Sequence, residues 1–195
     1  MVAFIVAIVF VLFYGATPPA CAGENVTLAA ATGELALLGG YGITHRGFGA
    51  TRSQVQTVDA ILRYGHFLSE EVGNGWYRGR HEIIVELPVH LTLDPRVRTM
   101  VGGYLLGSWK FSPGGNLSPY LLWGGGILIN DLGLQTQGTR LNFSYQGGTG
   151  INWFFSKSTA LTAEYRYHHI SNAGTAEPNE PLNSSKFLFG LTRLH

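Results

Sequence analysis

From about residue 33 onward the chain alternates apolar and polar positions with a period of two. The clearest stretch is 140–155. Arg140, Asn142, Ser144, Gln146, Gly148, Gly150 and Asn152 fall on one face, and Leu141, Phe143, Tyr145, Gly147, Thr149, Ile151, Trp153 and Phe155 on the other. Residues 81–91 repeat the pattern, with Ile83, Val85, Leu87, Val89 and Leu91 opposing Glu82, Ile84, Glu86 and His90. Successive side chains of an extended strand point to opposite faces, so this period predicts strands. No stretch shows the 3.6-residue period of an amphipathic helix. Turn signals divide the pattern into eight strands, near 33–44, 54–68, 77–91, 97–111, 117–129, 139–155, 158–171 and 184–194. The two quoted stretches run 11 and 16 residues, against about 5–6 for ordinary globular strands. A tilted strand needs about 9–11 residues to cross a bilayer. The pattern therefore predicts an all-β fold, an eight-stranded antiparallel transmembrane β-barrel over residues 23–195.

With both termini on the periplasmic side, 112–116 and 156–158 are short periplasmic turns, and the longer connections near 45–53, 130–138 and 172–183 face outside. Short turns on one side and long loops on the other are the asymmetry of outer-membrane barrels. A soluble lipocalin-like barrel is the alternative. It would turn the charged face outward and line a ligand cavity with Trp153, Phe155, Tyr165 and Tyr167. Strand length and the Glu, Arg, His and Gln content of the polar face favour the membrane and the bacterial outer membrane as location. Barrels of that kind usually close on an aromatic residue, whereas this chain closes on His195.

The first residues add a compartment. Val2 to Tyr14 is an unbroken apolar run, too short to span a bilayer as a helix, and Ala20-Cys21-Ala22 follows as a cleavage-like site. Residues 1–22 are thus expected to be a signal peptide. No Lys or Arg precedes Arg46, which points to a truncated or misplaced start. Cys21 is the single cysteine, so no intramolecular disulfide staples the chain; Pro18-Pro19 before it fits poorly with an acylation site. Thirteen basic residues against 12 acidic ones give no nucleic-acid footprint. The 27 glycines, roughly twice the ~7% average, lie inside apolar alternating segments, where strands bend or pack closely.

Candidate chemistry gathers at the end of the seventh strand. Tyr165, Tyr167, His169 and Ser171 share one face there, and Glu164, Arg166, His168 and Asn172 the other. A serine hydroxyl becomes nucleophilic when a neighbouring base takes its proton. Alternate residues on one strand bring two side chains within hydrogen-bonding reach. His169 and Ser171 are such a pair, facing the lipid if the polar face lines the lumen. Tyr165 and Tyr167 below them would contact acyl chains or join an aromatic girdle.

The run Arg166-Tyr167-His168-His169-Ile170-Ser171-Asn172-Ala173-Gly174, with Pro178-Asn179 and a closing Phe-rich strand, resembles the outer-membrane lipid A 3-O-deacylases (PagL). The match covers the C-terminal part of the chain, and the strand count extends it loosely. The resemblance implies an eight-stranded barrel that hydrolyses the acyl ester at position 3 of lipid A in lipopolysaccharide, without metal or cofactor. It implies Ser171 as nucleophile, His169 as general base, Asn172 as the residue following the nucleophile, and Asn179 as a donor to the oxyanion. One position departs. Where well-studied members place a Glu, this chain has Asn183. An Asn carbonyl can fix the tautomer of a histidine but cannot stabilise the imidazolium by charge. Either a slower enzyme or a carboxylate from Glu177 or Glu180 is expected, and an inactive barrel that has lost the third member is the rival reading.

Other residues draw structural readings. His168, with Glu164 and Arg166, is expected in the lumen. Glu82, Glu86 and His90 share a face, where interior salt bridging outweighs a metal site. Arg46, Arg52, Arg96, Arg98 and Arg140 sit near the outer loops, where lipid A phosphates or solvent would meet them. The expected partners are lipid A and the membrane, with no nucleic acid; a homodimer is left open.

Overall fold

A strand with one apolar and one polar face must bury one of them, and a closed sheet does this while leaving no unpaired edge. The computed structural model describes residues 27–195; the expected signal segment and Cys21 lie outside the described residues. Eight strands follow one another: β1 (Gly33–Thr44), β2 (Gln56–Phe67), β3 (Gly79–Asp94), β4 (Arg98–Phe111), β5 (Leu117–Asn130), β6 (Leu141–Phe154), β7 (Thr159–Ser171) and β8 (Leu182–Leu194). Each pairs antiparallel with the next, and β8 closes on β1, from Glu34 opposite Leu194 to Thr44 opposite Ser184. The strand bounds differ from the sequence expectation by a few residues. One difference matters: β8 begins at Leu182, which brings Asn183 into the ladder opposite His169.

The faces are sorted as a membrane barrel requires. Leu87, Leu105, Trp123, Ile127, Tyr145, Trp153 and Phe189 stand exposed on the outer wall, while Glu86, Arg63, His90 and Arg166 are fully buried inside. This overturns the lipocalin-like alternative. Trp153, Phe155 and Tyr165 are exposed on the outside rather than lining a cavity. In water such a wall would be an aggregation surface; in lipid it is the solvated one. His195 stacks on Tyr64 with ring centroids 5.7 Å apart.

The lumen holds paired charge. Nearest the termini, Lys110 bridges Glu34 and approaches Glu82 at 3.6 Å. In the middle, Arg63 and Arg166 both bind Glu86 and Glu164, and Tyr120 donates to Glu164 at 2.5 Å. Toward the other rim, Asp59 accepts from Lys186 at 2.6 Å and contacts His90 at 2.7 Å, and His90 reaches Tyr104 at 2.9 Å. His168 lies there too, against Tyr104 and Ser144. Glu82, Glu86 and His90 thus serve separate polar pairs. Burial of charge demands such pairing. Some glycines make the room. A Cβ on Gly150 would meet the Tyr120 ring, and one on Gly65 would meet Glu82. One apolar cluster runs from Val55, Met100, Leu132, Ile170 and Leu182 at the rim away from the termini down to Tyr120, and another of Ala31, Phe67 and Leu194 sits at the terminal end.

The expected loop asymmetry holds only in part. The connection from Leu68 to Arg78, on the side of the termini, is long, with a short 3-10 turn at Gly75–Tyr77 and a bridge between Val72 and Gly79. On the side away from the termini, expected to face outside, the connection from Pro95 to Val97 is short because β3 runs on to Asp94, and Thr92 Oγ1 closes it by accepting the Arg98 N–H at 2.8 Å.

Candidate active site

The alternation of β7 sends Tyr165, Tyr167, His169 and Ser171 to the outer wall, where His169 and Ser171 are half-buried. His169 Nε2 lies 3.2 Å from Ser171 Oγ, and its Nδ1 lies 2.7 Å from Asn183 Oδ1. An amide oxygen only accepts, so the proton sits on Nδ1 and the Nε2 lone pair faces the serine. The flanking contacts set the amide's orientation. Asn183 Nδ2 donates to Thr51 Oγ1 at 2.8 Å and to the Phe48 carbonyl at 3.4 Å. Thr51 spends its own proton on the Pro181 carbonyl at 2.8 Å and can only accept from Asn183. Tyr167 adds a second donor to Asn183 Oδ1 at 2.5 Å.

Of the two arrangements expected, the one with a carboxylate is not formed: neither candidate carboxylate is hydrogen-bonded to the imidazole. Glu180 Oε1 accepts the backbone N–H groups of Arg52 at 2.7 Å and Ser53 at 2.5 Å, and so clasps the loop between β1 and β2. Burial alone would raise its pKa, but those N–H groups hold the carboxyl below its ordinary value. Glu177 is exposed. Asn183 is the hydrogen-bond partner of His169 Nδ1 among the described residues.

Asn172 and Asn179 occupy the turn after β7. The Asn172 side chain is buried and builds the loop, donating to the Ala176 carbonyl at 2.7 Å and accepting the Gly174 N–H at 2.9 Å. It stands beside the serine in sequence but does not share its face. Its backbone N–H donates to Asn179 Oδ1 at 2.9 Å, so Asn179 Nδ2 points away from it; neither Nδ2 nor the Ala173 N–H has a hydrogen-bond partner among the described residues. Ala173 has a φ of 55°, a left-handed conformation that turns the chain sharply after Ser171. The loop between β5 and β6 props this turn, with Gly138 N–H on the Pro178 carbonyl at 2.6 Å and Glu180 N–H on the Thr136 carbonyl at 2.9 Å.

Several neighbours carry no signal in the chain's local pattern. Tyr145, opposite His169 on β6, stacks on the imidazole at 4.2 Å and 16°. Phe48 packs edge-on against Tyr167 at 6.2 Å. His45 Nε2 and Tyr165 Oη each lie 2.8 Å from Ser185 Oγ, making a second His–Ser contact beside the first. Ser185 is buried beneath them and so is poorly placed to meet a bulky carbonyl. Arg46, Arg52, Arg96, Arg98 and Arg140 are all exposed at this rim, with Arg140 3.7 Å from Asp131.

The arrangement can therefore hold a histidine, fixed at Nδ1, against a hydroxyl on the outer wall. The model of the family described as lipid A 3-O-deacylase (PagL) matches residues 47–192. The crystal structure of the outer membrane enzyme PagL is similar over 80% of this chain and 97% of its own, at 18% identity and a TM-score of 0.60. That of Neisserial surface protein A (NspA) is similar over 85% of this chain and 98% of its own, at 13% identity and a TM-score of 0.62. No curated protein sequence matches the chain.

Proposed function

The chain belongs to the lipid A 3-O-deacylase (PagL) family, and on that premise we propose that it removes the 3-linked acyl chain of lipid A by a serine acyl-enzyme route. The observation that carries this reading is the position of His169, between Ser171 Oγ at 3.2 Å and Asn183 Oδ1 at 2.7 Å on the outer wall. In this reading the rim that carries the site faces outward, and the acyl esters of outer-leaflet lipid come to it. Substrate then reaches it sideways through the bilayer rather than through the polar lumen.

In this reading Ser171 Oγ attacks the ester carbonyl carbon while His169 Nε2 takes its proton. The tetrahedral oxyanion accepts from Asn179 Nδ2, the amide donor without a partner beside the turn, and from the Ala173 N–H. Collapse breaks the bond to the sugar oxygen, which leaves with the proton from the imidazolium. Water then attacks the acyl-serine with His169 again as base, releasing the fatty acid and restoring Ser171. Asn172 acts on the shape of the turn, and Asn183 on the tautomer of His169. The outer-rim arginines suit the phosphates of the same lipid.

The test is mass spectrometry of lipid A incubated with the refolded barrel, beside Ser171→Ala and His169→Ala. Loss of one hydroxyacyl mass with the unaltered protein alone supports the reading. An unchanged spectrum from a folded barrel, with lipid A from several sources, sinks it.

A further inference from the structure

Acyl transfer by a Ser–His pair creates an imidazolium, which a carboxylate ordinarily stabilises. Here the third group is an amide, and its donor half is committed to Thr51 and Phe48. Its acceptor oxygen is shared with the Tyr167 hydroxyl. No carboxylate is hydrogen-bonded to His169 among the described residues, and Glu180, in the loop before β8, is spent on two backbone N–H groups. What does face the ring is Tyr145. It is the cross-strand partner of His169, its ring centroid lies 4.2 Å away and the two planes are 16° apart. Tyr145 is itself 55% exposed on the lipid-facing wall. The negative face of an aromatic ring attracts a cation, more strongly where water is excluded.

We infer that Tyr145 is a positioning residue of this site, whose π face stabilises the His169 imidazolium and does the charge work that the Asn183 amide cannot do. The inference rests on the proposed Ser171–His169 chemistry. It also explains how a chain without the family's Glu keeps its acceptor, its tautomer and a source of electrostatic stabilisation in separate residues. Tyr145 acts only once charge has formed, so it bears on kcat and leaves KM nearly unchanged.

The experiment replaces Tyr145 by Phe, by Phe carrying one to three ring fluorines, and by Leu, in the full-length barrel refolded in detergent. Folding is checked by heat-modifiable migration on gels. Two rates are read, release of hydroxy fatty acid from lipid A and labelling of Ser171 by a fluorophosphonate probe, whose reaction passes through the same imidazolium. Phe should keep both rates within about twofold, because the face remains. Each fluorine should lower both stepwise, and Leu should fall about twofold to thirtyfold in kcat at constant KM. Fluorinated rings that behave like Phe overturn the inference, even if Leu is slow, since packing alone would then explain the loss. Cleavage failing while Ser171 still labels removes the proposed function, and the labelling series alone then supports or overturns the role of Tyr145. An unaltered barrel that does not label at Ser171 overturns both.

Discussion

Replacing Asn183 by Asp separates the two jobs this side chain holds. Asp keeps an oxygen at the Oδ1 position, 2.7 Å from His169 Nδ1 and 2.5 Å from the Tyr167 hydroxyl. Where Nδ2 stood, it places an oxygen against two acceptors, Thr51 Oγ1 at 2.8 Å and the Phe48 carbonyl at 3.4 Å. Thr51 can turn its proton toward the carboxylate only by abandoning the Pro181 carbonyl. Two hydrogen bonds are lost and acceptors are left facing one another, a cost of about 1–3 kcal/mol in docking the loop between β1 and β2. Meanwhile the bond to His169 becomes charge-assisted, roughly twice as strong as a neutral one. If that adds about 1–2 kcal/mol in the transition state, kcat rises about fivefold to thirtyfold. The expected signature is a faster site under a looser loop. Trypsin reads the loop through Arg46 and Arg52, both exposed in it, and fatty-acid release reads the rate. A variant that is no faster, with a loop no more readily cut, refutes both halves of the reasoning.

Glu86 accepts from Arg63 and Arg166 at 2.7 Å each in the lumen, so Glu86→Gln leaves one guanidinium without a counter-charge and should cost about 3–5 kcal/mol; urea unfolding in vesicles measures it, and a loss under about 1 kcal/mol speaks against a buried network. The Glu180 clasp predicts a pH dependence. Its carboxyl titrates below the ordinary value of 4.5 in the folded protein, so its contribution is present above that value and is lost as pH falls through the lower folded one. Hydrogen exchange at the Arg52 and Ser53 amides should lose protection over that acid range, and Glu180→Gln should abolish the dependence. Gly150→Ala would drive a Cβ into the Tyr120 ring and pull it from Glu164; a cost of about 1–3 kcal/mol is expected, seen as a lowered temperature for the heat-induced gel shift.

The period-two pattern and the turn signals that divide it determined the number of strands, which face is polar, and the placing of His169 and Ser171 on one side of β7. Those are consequences of residues two apart, and no distant contact can alter them while the strand stays extended. The inward reading of Glu86, His90, Arg166 and His168 came from the same source, since a face rich in charge has nowhere else to go in lipid. What surrounds the pair was not legible. Asn183 was recognisable as a missing Glu, but its place opposite His169 depends on β8 beginning at Leu182 and on the register with β7. The start at Leu182 in turn depends on contacts such as that of Thr51 with Pro181, two positions far apart in the chain. Tyr145 sat in plain view as one aromatic in an alternating strand; only the β6–β7 register laid it on the imidazole. Glu180 was near enough in sequence to pass for a third catalytic member, yet the loop from Arg52 to Ser53 claimed it. Local periodicity fixes which way a side chain points, whereas barrel closure and loop docking decide what it meets there, because register and long-range contacts are set by the whole ring of strands at once.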